Sequence, residues 1–210
     1  VAVLAAFGTL PGTTREVSTI QVPGLGSVSI HSVRTVGTTP FVSFLNQQGA
    51  EIFRVTPETG KFWVVQDIDD ATGPHIYYEI FHASGLPSPL VLVVDHYVYA
   101  DDCGYSPVIV GLTGGRLQAI APKLPEFATR GGAYLSVPTG NTQAQLTVVA
   151  ERYQIHDIHV NGPSKMAVYV YDFDKKLGQF RLVRQQELPT DKVRVSGKSI
   201  LSIIPEFASC

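Results

Sequence analysis

Hydrophobic residues in this chain alternate with polar ones or gather in short runs, and the spacing typical of an amphipathic helix is scarce. Such runs, rich in Val, Ile, Tyr and Phe and separated by Gly and Pro, predict β-strands. One short helix is predicted at 124–130, where Pro125 suits a first helical turn. The fold class is therefore predicted to be all-β. Strands are predicted at 27–33, 41–45, 76–81, 90–94, 146–149 and 167–171.

A longer pattern recurs: an apolar strand, a polar turn that ends in glycine, one polar residue and a second apolar strand. Glycine suits the positive φ of a hairpin turn, so each copy predicts a β-hairpin. The turn glycines of the copies are Gly60, Gly115, Gly178 and Gly197. The copies lie at 51–65, 107–121 and 167–183, with a shorter fourth copy at 193–204.

An apolar strand that ends in two polar residues precedes each of the first three hairpins, at 40–47, 89–96 and 145–152. A period of this length is typical of β supersecondary units that bury their apolar faces against one another. We therefore predict one all-β domain over residues 1–210. It would consist of N-terminal strands in 1–39 and of units 40–88, 89–144 and 145–210.

Three stretches resemble the VCBS/FG-GAP-type repeats of exported bacterial proteins. They are FWVVQDIDDATG (62–73), VVDHYVYADDCGYSPVIVGLTGGRLQAIAP (93–122) and YVYDFDKKLGQFRLV (169–183). In such repeats an apolar strand leads into an acidic loop and then a hairpin, and the repeats form β-propeller blades. The resemblance implies a propeller-like array in an extracellular or periplasmic protein. Because most propellers have about four to eight blades, a β-sandwich is the alternative.

Asp67, Asp69 and Asp70 form the acidic loop of the first of these stretches. Carboxylates at alternate positions of a loop can converge on Ca²⁺, which takes about six to eight oxygen ligands. Asp also caps turns through bonds to its own backbone, without any metal. These three residues are the candidate calcium site, and no other cofactor is expected.

Residues 93–107, VVDHYVYADDCGYSP, concentrate Asp95, His96 and Cys103 in a short window. A Cys/His nucleophile pair requires the thiol within hydrogen-bond reach of the imidazole. Asp95-His96, however, occupies the place of Asn46-Gln47 and Glu151-Arg152 in the other units, so a strand end that enters solvent explains the polarity. Cys103 and Cys210 are the two cysteines, and they form a candidate disulfide in an exported protein.

The segment His156-Asp157-Ile158-His159 offers two further metal-ligating side chains. On an extended strand, His156 and His159 point to opposite faces and do not share a metal. If the segment curls into a turn they come closer, with Asp95 or His96 as a third ligand. A structural role is the prediction favoured for these histidines.

Charge and missing motifs narrow the function. The formal net charge is −2, and Lys175-Lys176 is the only adjacent Lys/Arg pair, which disfavours nucleic acid as a partner. No apolar run is long enough to span a membrane, and the apolar 1–7 segment reads as a first strand or the remnant of a signal peptide. Nucleophile-elbow, phosphate-loop and zinc-protease motifs are missing.

The sequence therefore predicts a non-catalytic exported or cell-envelope β-protein that acts as an interaction or assembly module. Its expected partner is another protein or a second copy, because an incomplete array leaves strand edges to cover. The alternative is a metal-dependent (Ca or Zn) carbohydrate-binding protein or hydrolase. Tyrosines at 77–78, at 97, 99 and 105, and at 169 and 171 either line an exposed face suited to a protein or a sugar or fill half-buried strands, and strand packing is the prediction favoured.

Overall fold

The structure is a computed structural model, and it describes residues 13–35, 39–56, 75–82, 86, 88–99, 102–128, 130–136, 143–157, 162–195 and 198–199. Within these ranges the fold is all-β, as predicted, with one turn of 3₁₀ helix at Thr190–Lys192. The strands are β1 (Thr13–Val22), β2 (Gly26–Thr35), β3 (Phe41–Leu45), β4 (Glu51–Val55), β5 (His75–Phe81), β6 (Leu90–Tyr99), β7 (Asp102–Thr113), β8 (Arg116–Ala119), β9 (Gly132–Ser136), β10 (Gln145–Arg152), β11 (Lys165–Asp174), β12 (Gln179–Pro189) and β13 (Lys198–Ser199).

The strands form three antiparallel sheets. The N-sheet has the order β1-β2-β3-β4, the central sheet β5-β6-β7-β8, and the C-sheet β12-β11-β10-β9-β13. Each sheet therefore contains four consecutive strands that run up and down, and this meander is the repeated unit. The strands of the N-sheet lie on both sides of residue 40, where the sequence placed the start of its first unit. Whether the array is propeller-like or a sandwich stays a prediction.

Two of the predicted hairpins are present. β7 and β8 are joined by a turn at Gly114 and Gly115, whose φ values of 57° and 77° are accessible to glycine at little cost. β11 and β12 are joined by a turn that ends at Gly178, with φ 64°. The Gly178 N–H donates to the Asp174 carbonyl over 2.8 Å and closes this turn.

The first copy lies partly outside the described residues, and the fourth differs from the prediction. β4 pairs with β3 across a turn at 46–50, where Gly49 has φ 78°. Gly60 and the second strand of the hairpin predicted at 51–65 lie outside the described residues, so that hairpin stays a prediction. The Asn46 side chain explains the turn at 46–50, because its Oδ1 accepts from the Gln48 and Ala50 amides. At the C-terminus, 193–195 is not a strand, and β13 pairs with β9 instead of forming a hairpin with the preceding segment.

The helix predicted at 124–130 is wrong. Tyr105 and Phe127 exchange two backbone hydrogen bonds, at 2.8 and 3.1 Å, so Phe127 extends the edge of the central sheet beyond β8. Their rings stack with centroids 5.5 Å apart, and Leu124 is also buried. An isolated helix this short is marginal in water. Aromatic packing and the β-bridge therefore decide the conformation.

The central sheet lies between the other two. Leu90, Leu92 and Val94 of β6 pack in one cluster with the C-sheet, whereas Val91 and Val93 pack in another with the N-sheet. All five are at most 1% exposed. A strand that is buried on both faces is a continuous apolar run, and this explains the LVLVV sequence of β6.

Hydrogen bonds between the sheets fix their relative positions. The Tyr78 hydroxyl donates to Ser18 Oγ over 2.7 Å, and Ser32 Oγ donates to the Ile76 carbonyl over 3.2 Å, which joins the N-sheet to the central sheet. The Phe180 amide donates to the Ile120 carbonyl over 2.6 Å and joins the central sheet to the C-sheet.

The face of the C-sheet that points away from the central sheet has its own small core. Val149, Met166, Val168 and Val170 are buried there, and Val193 packs against them. The segment that carries Val193 follows β12 and is held by Thr190, whose Oγ1 donates to the Pro163 carbonyl over 2.6 Å. The chain therefore covers this face of its last complete meander itself.

Candidate functional site

A pocket of about 250 Å³ lies where the N-sheet meets the central sheet. The end of β4 forms one wall, β6 and β7 form the second, and the end of β8 with the connection that follows it, as far as Glu126, forms the third. Most of the lining is apolar and comes from Val55, Val93, Val108, Ile109 and Leu124. The pocket thus depends on two sheets and on the connection that leaves the second of them.

Asp95 is the buried polar group of this pocket. Its side chain is only 8% exposed, and Ser106 lies directly opposite it on β7. Lys123 and Glu126 also line the pocket; Lys123 is exposed and Glu126 is half-buried. Charged groups are therefore present both deep in the pocket and at its open side.

Strand alternation explains the position of Asp95. It follows five buried apolar residues of β6 and has the same parity as Val91 and Val93, so it points toward the N-sheet. The prediction that Asp95 enters solvent at a strand end is therefore wrong. The sequence does contain a sign of this burial, because Asp95 follows Val91 and Val93 at alternate positions. That alternation predicts a buried acid once both faces of β6 are known to be buried.

Glu151, which the sequence aligned with Asp95, lies in a different environment. It has the parity of Val149 and so lies on the face of the C-sheet directed away from the central sheet. Its Oε2 and Oε1 accept from the amides of Ala128 and Arg130, each over 2.7 Å. Glu151 fastens the turn that precedes β9, which is a structural role.

Asp157 fastens the connection between β10 and β11. Its Oδ2 accepts from the Gln154 amide over 2.6 Å and from both the amide and the hydroxyl of Ser164 over 3.0 Å. These bonds, the one from Gln154 first, hold the pKa of Asp157 below its ordinary value. The segment is a turn at 155–156 and not a strand.

The same turn presents its tip to solvent. Ile155 is 94% exposed, and His156 beside it is exposed as well. His159 lies outside the described residues, and nothing is described of the His96 side chain. Because Asp95 is buried beneath the N-sheet and His156 is exposed on a turn of the C-sheet, the structure does not bring these two predicted ligands together.

The predicted calcium site and disulfide fall largely outside the described part of the chain. Asp67, Asp69, Asp70 and Cys210 are not described. Cys103 lies on β7 opposite Val98 of β6, with its backbone alone described. Within the ranges that the structure describes, no three His, Cys, Asp or Glu groups come together to hold a metal ion. Calcium binding and the Cys103–Cys210 disulfide both stay predictions.

Four of the predicted tyrosines, Tyr78, Tyr105, Tyr169 and Tyr171, belong to the core, and Tyr77 is half-buried; the side chains of Tyr97 and Tyr99 lie outside the described part of the structure. Tyr78, Tyr169 and Tyr171 are 7%, 8% and 3% exposed. Burial, with a smaller effect of neighbouring Tyr169, raises the pKa of Tyr171 to about 12. The Tyr169 hydroxyl accepts from Arg152 over 2.7 Å. These side chains therefore follow the prediction of strand packing, and a sugar would not stack on them.

No protein-family model matches the sequence, and neither a curated protein nor a solved structure matches it. The resemblance to VCBS/FG-GAP repeats stays a prediction. Among the described residues, no helix is long and apolar enough to cross a membrane.

Proposed function

We propose that the protein is a non-catalytic interaction module of the cell envelope or extracellular space, and that it binds a protein surface through the turn at 153–157. The observation that carries this proposal is the 94% exposure of Ile155 at the tip of that turn. Tyr153 in the same turn is 38% exposed. An isolated exposed apolar residue is common on protein surfaces and needs no explanation by itself.

The hydrogen bonds around Ile155 make it unusual. Asp157 accepts three hydrogen bonds from Gln154 and Ser164, and the Asp157 amide donates back to the Gln154 carbonyl over 2.9 Å. A turn that is already ordered loses little conformational entropy when a partner binds. An apolar side chain held in this way is suited to enter a pocket of a partner, as interface anchors do.

The exposed edge of the C-sheet is a weaker candidate for the same role. β12 is 11 residues long, and Leu182 and Val183 on it are 47% and 55% exposed. Val183, however, is the extra residue of a β-bulge, and Arg181 and Arg184 flank these positions. Bulges and charged residues are devices that keep edge strands from pairing with other chains. The interaction is therefore assigned to the turn.

The experiment places the photo-crosslinking residue p-benzoylphenylalanine at position 155 and, in a matched control, at position 177. Leu177 is also an apolar residue at the tip of a turn, 44% exposed, at the opposite end of the C-sheet. The purified protein is irradiated alone and in an extract of its source. We expect a protein crosslink from position 155 that position 177 does not give.

Competition gives the decisive comparison. Excess unlabelled protein should suppress the crosslink, whereas excess Ile155→Ser protein should not. Equal products from both positions would contradict the proposal. So would a monomer in sedimentation velocity that yields no crosslink in either sample. A crosslink to a second copy or to another protein identifies which of the two is the partner.

A further inference from the structure

We propose that the pocket between the N-sheet and the central sheet binds a small organic amine, with its apolar body against the valines and its ammonium group on Asp95. This site is separate from the turn at 153–157. It involves the buried Asp95 carboxylate on β6, which takes no part in the proposed interaction of the turn with a protein.

The size of the pocket selects the class of ligand. Its volume is about 250 Å³. A cavity of about 150 Å³ holds benzene, and pockets for drug-sized molecules begin at about 300 Å³. A ring or branched chain with one short polar arm therefore fits. The mostly apolar lining, formed in part by Val55, Val93 and Val108, favours such a body over a sugar or nucleotide.

The charge of Asp95 selects the polar group. At 8% exposure its carboxylate lies against apolar walls, where a hydrogen bond from a cation is stronger than one from a neutral donor. Glu126 adds a second carboxylate to the lining. Lys123 is exposed, so solvent screens its charge more than that of Asp95.

A metal ion fits this donor set less well than an ammonium group. Calcium takes about six to eight oxygen ligands. Within the described part of the chain, no three metal-ligating acidic, His or Cys groups converge. One ammonium group needs only a few acceptors, and the Asp95 carboxylate and the Ser106 hydroxyl lie opposite each other on adjacent strands.

The pocket can be reached from solvent. Ala119 and Lys123 line it and are exposed, whereas Asp95 is buried. A ligand would therefore enter beside β8 and carry its ammonium group inward to Asp95. Ala119 is the position where a larger side chain would close this route without replacing a core residue.

The test uses three probes of the same shape: cyclohexylmethylamine, cyclohexylmethanol and cyclohexanecarboxylate. Binding is followed by thermal unfolding and by isothermal titration calorimetry, because a ligand of the native state raises the Tm as its concentration rises. We expect the amine to raise the Tm, the alcohol to raise it less, and the carboxylate to leave it unchanged.

Two variants locate the site. Asp95→Asn should weaken binding of the amine by roughly tenfold or more, since a charge-assisted hydrogen bond becomes a neutral one. Ala119→Phe should abolish binding while the far-ultraviolet circular dichroism stays unchanged. Asp172→Asn is the matched control: this Asp lies on β11, half-buried and bonded to Gln145, and its replacement should leave the affinity unchanged.

The outcomes separate cleanly. If Asp95→Asn does not fold, Ala119→Phe decides the question. The proposal is overturned if the amine leaves the Tm unchanged at millimolar concentration, if the carboxylate binds as well as the amine, or if Ala119→Phe binds the amine like the unaltered protein. Crosslinking from position 155 is measured independently, so failure of one proposal leaves the other standing.

Discussion

The hydrogen bond from the Tyr78 hydroxyl to Ser18 Oγ joins the N-sheet to the central sheet across 60 positions of the chain. Tyr78 is 7% exposed, so Tyr78→Phe removes the hydroxyl without emptying the space of the ring. A hydrogen bond of this kind contributes about 0.5–1.5 kcal/mol to stability. We expect Tyr78→Phe and Ser18→Ala each to lower the free energy of unfolding by about 1 kcal/mol.

The double variant tests whether the two groups act together. Once either side chain is replaced the hydrogen bond is already absent, so replacing the second removes no further bond. The double variant should therefore lose less free energy of unfolding than the sum of the two single variants, by about 0.5–1 kcal/mol. Equilibrium unfolding in guanidinium chloride measures this. For a domain of this size, 1 kcal/mol corresponds to a change in Tm of about 2–4 °C.

Thr19→Ala is the control, because Thr19 is the exposed neighbour of Ser18 on β1, and its replacement should change stability by less than about 0.5 kcal/mol. Strictly additive single variants would show that the two sheets do not meet at this point. A second readout is available: burial raises the pKa of Tyr78 and the bond to Ser18 lowers it, so Ser18→Ala should raise that pKa further in a spectrophotometric titration.

Three further predictions concern other parts of the structure. Asp157→Asn should speed hydrogen exchange in the connection between β10 and β11. Because the pKa of Asp157 is lowered, its ionised carboxylate stabilises the connection at any pH above the ordinary pKa of Asp, and this stabilisation is lost as the pH falls through the lowered pKa. Below that pH the variant and the unaltered protein should exchange at the same rate. The pKa of Tyr171 is raised from 10 to about 12, so the neutral hydroxyl contributes fully to stability below pH 10, and this contribution is lost as the pH rises toward 12. Tyr171→Phe should therefore reduce the fall in the free energy of unfolding between pH 10 and pH 12, as measured by urea unfolding. Leu92→Ala should lower the free energy of unfolding by about 2–5 kcal/mol, and Leu182→Ala, exposed on β12, by less than about 0.5 kcal/mol; equal costs in chemical unfolding would contradict the burial of the central sheet.

Strand positions were predictable where apolar runs are uninterrupted. The run at 90–94 lies in β6, and the run at 41–45 coincides with β3 (Phe41–Leu45). β1 was predicted only as one of the N-terminal strands in 1–39, without bounds, because a polar residue, Ser18, occupies an inward-facing position beside Ile20 and Val22. Its hydrogen bond to a tyrosine 60 positions away satisfies that hydroxyl, and such a partner is invisible to local alternation.

The repeat was recognisable where its turns carry glycine. Gly115 and Gly178 mark hairpin turns that the structure contains, and a further turn at Gly49 depends on the Asn46 side chain. The buried position of Asp95, in contrast, was not predicted. Comparison with Glu151 by sequence order ignores which face of the sheet each residue occupies, and only the packing of three sheets shows that the two acids point to different surroundings.

The burial of both faces of β6 also has a consequence for synthesis of the chain. Leu90, Leu92 and Val94 leave the ribosome about 95 residues before β12 is complete. At roughly 5–20 residues per second this interval lasts roughly 5–20 s. During that time the N-sheet can cover one face of the central sheet, while the other still waits for its partner. A chaperone that holds extended apolar segments would therefore act on this stretch of the nascent chain.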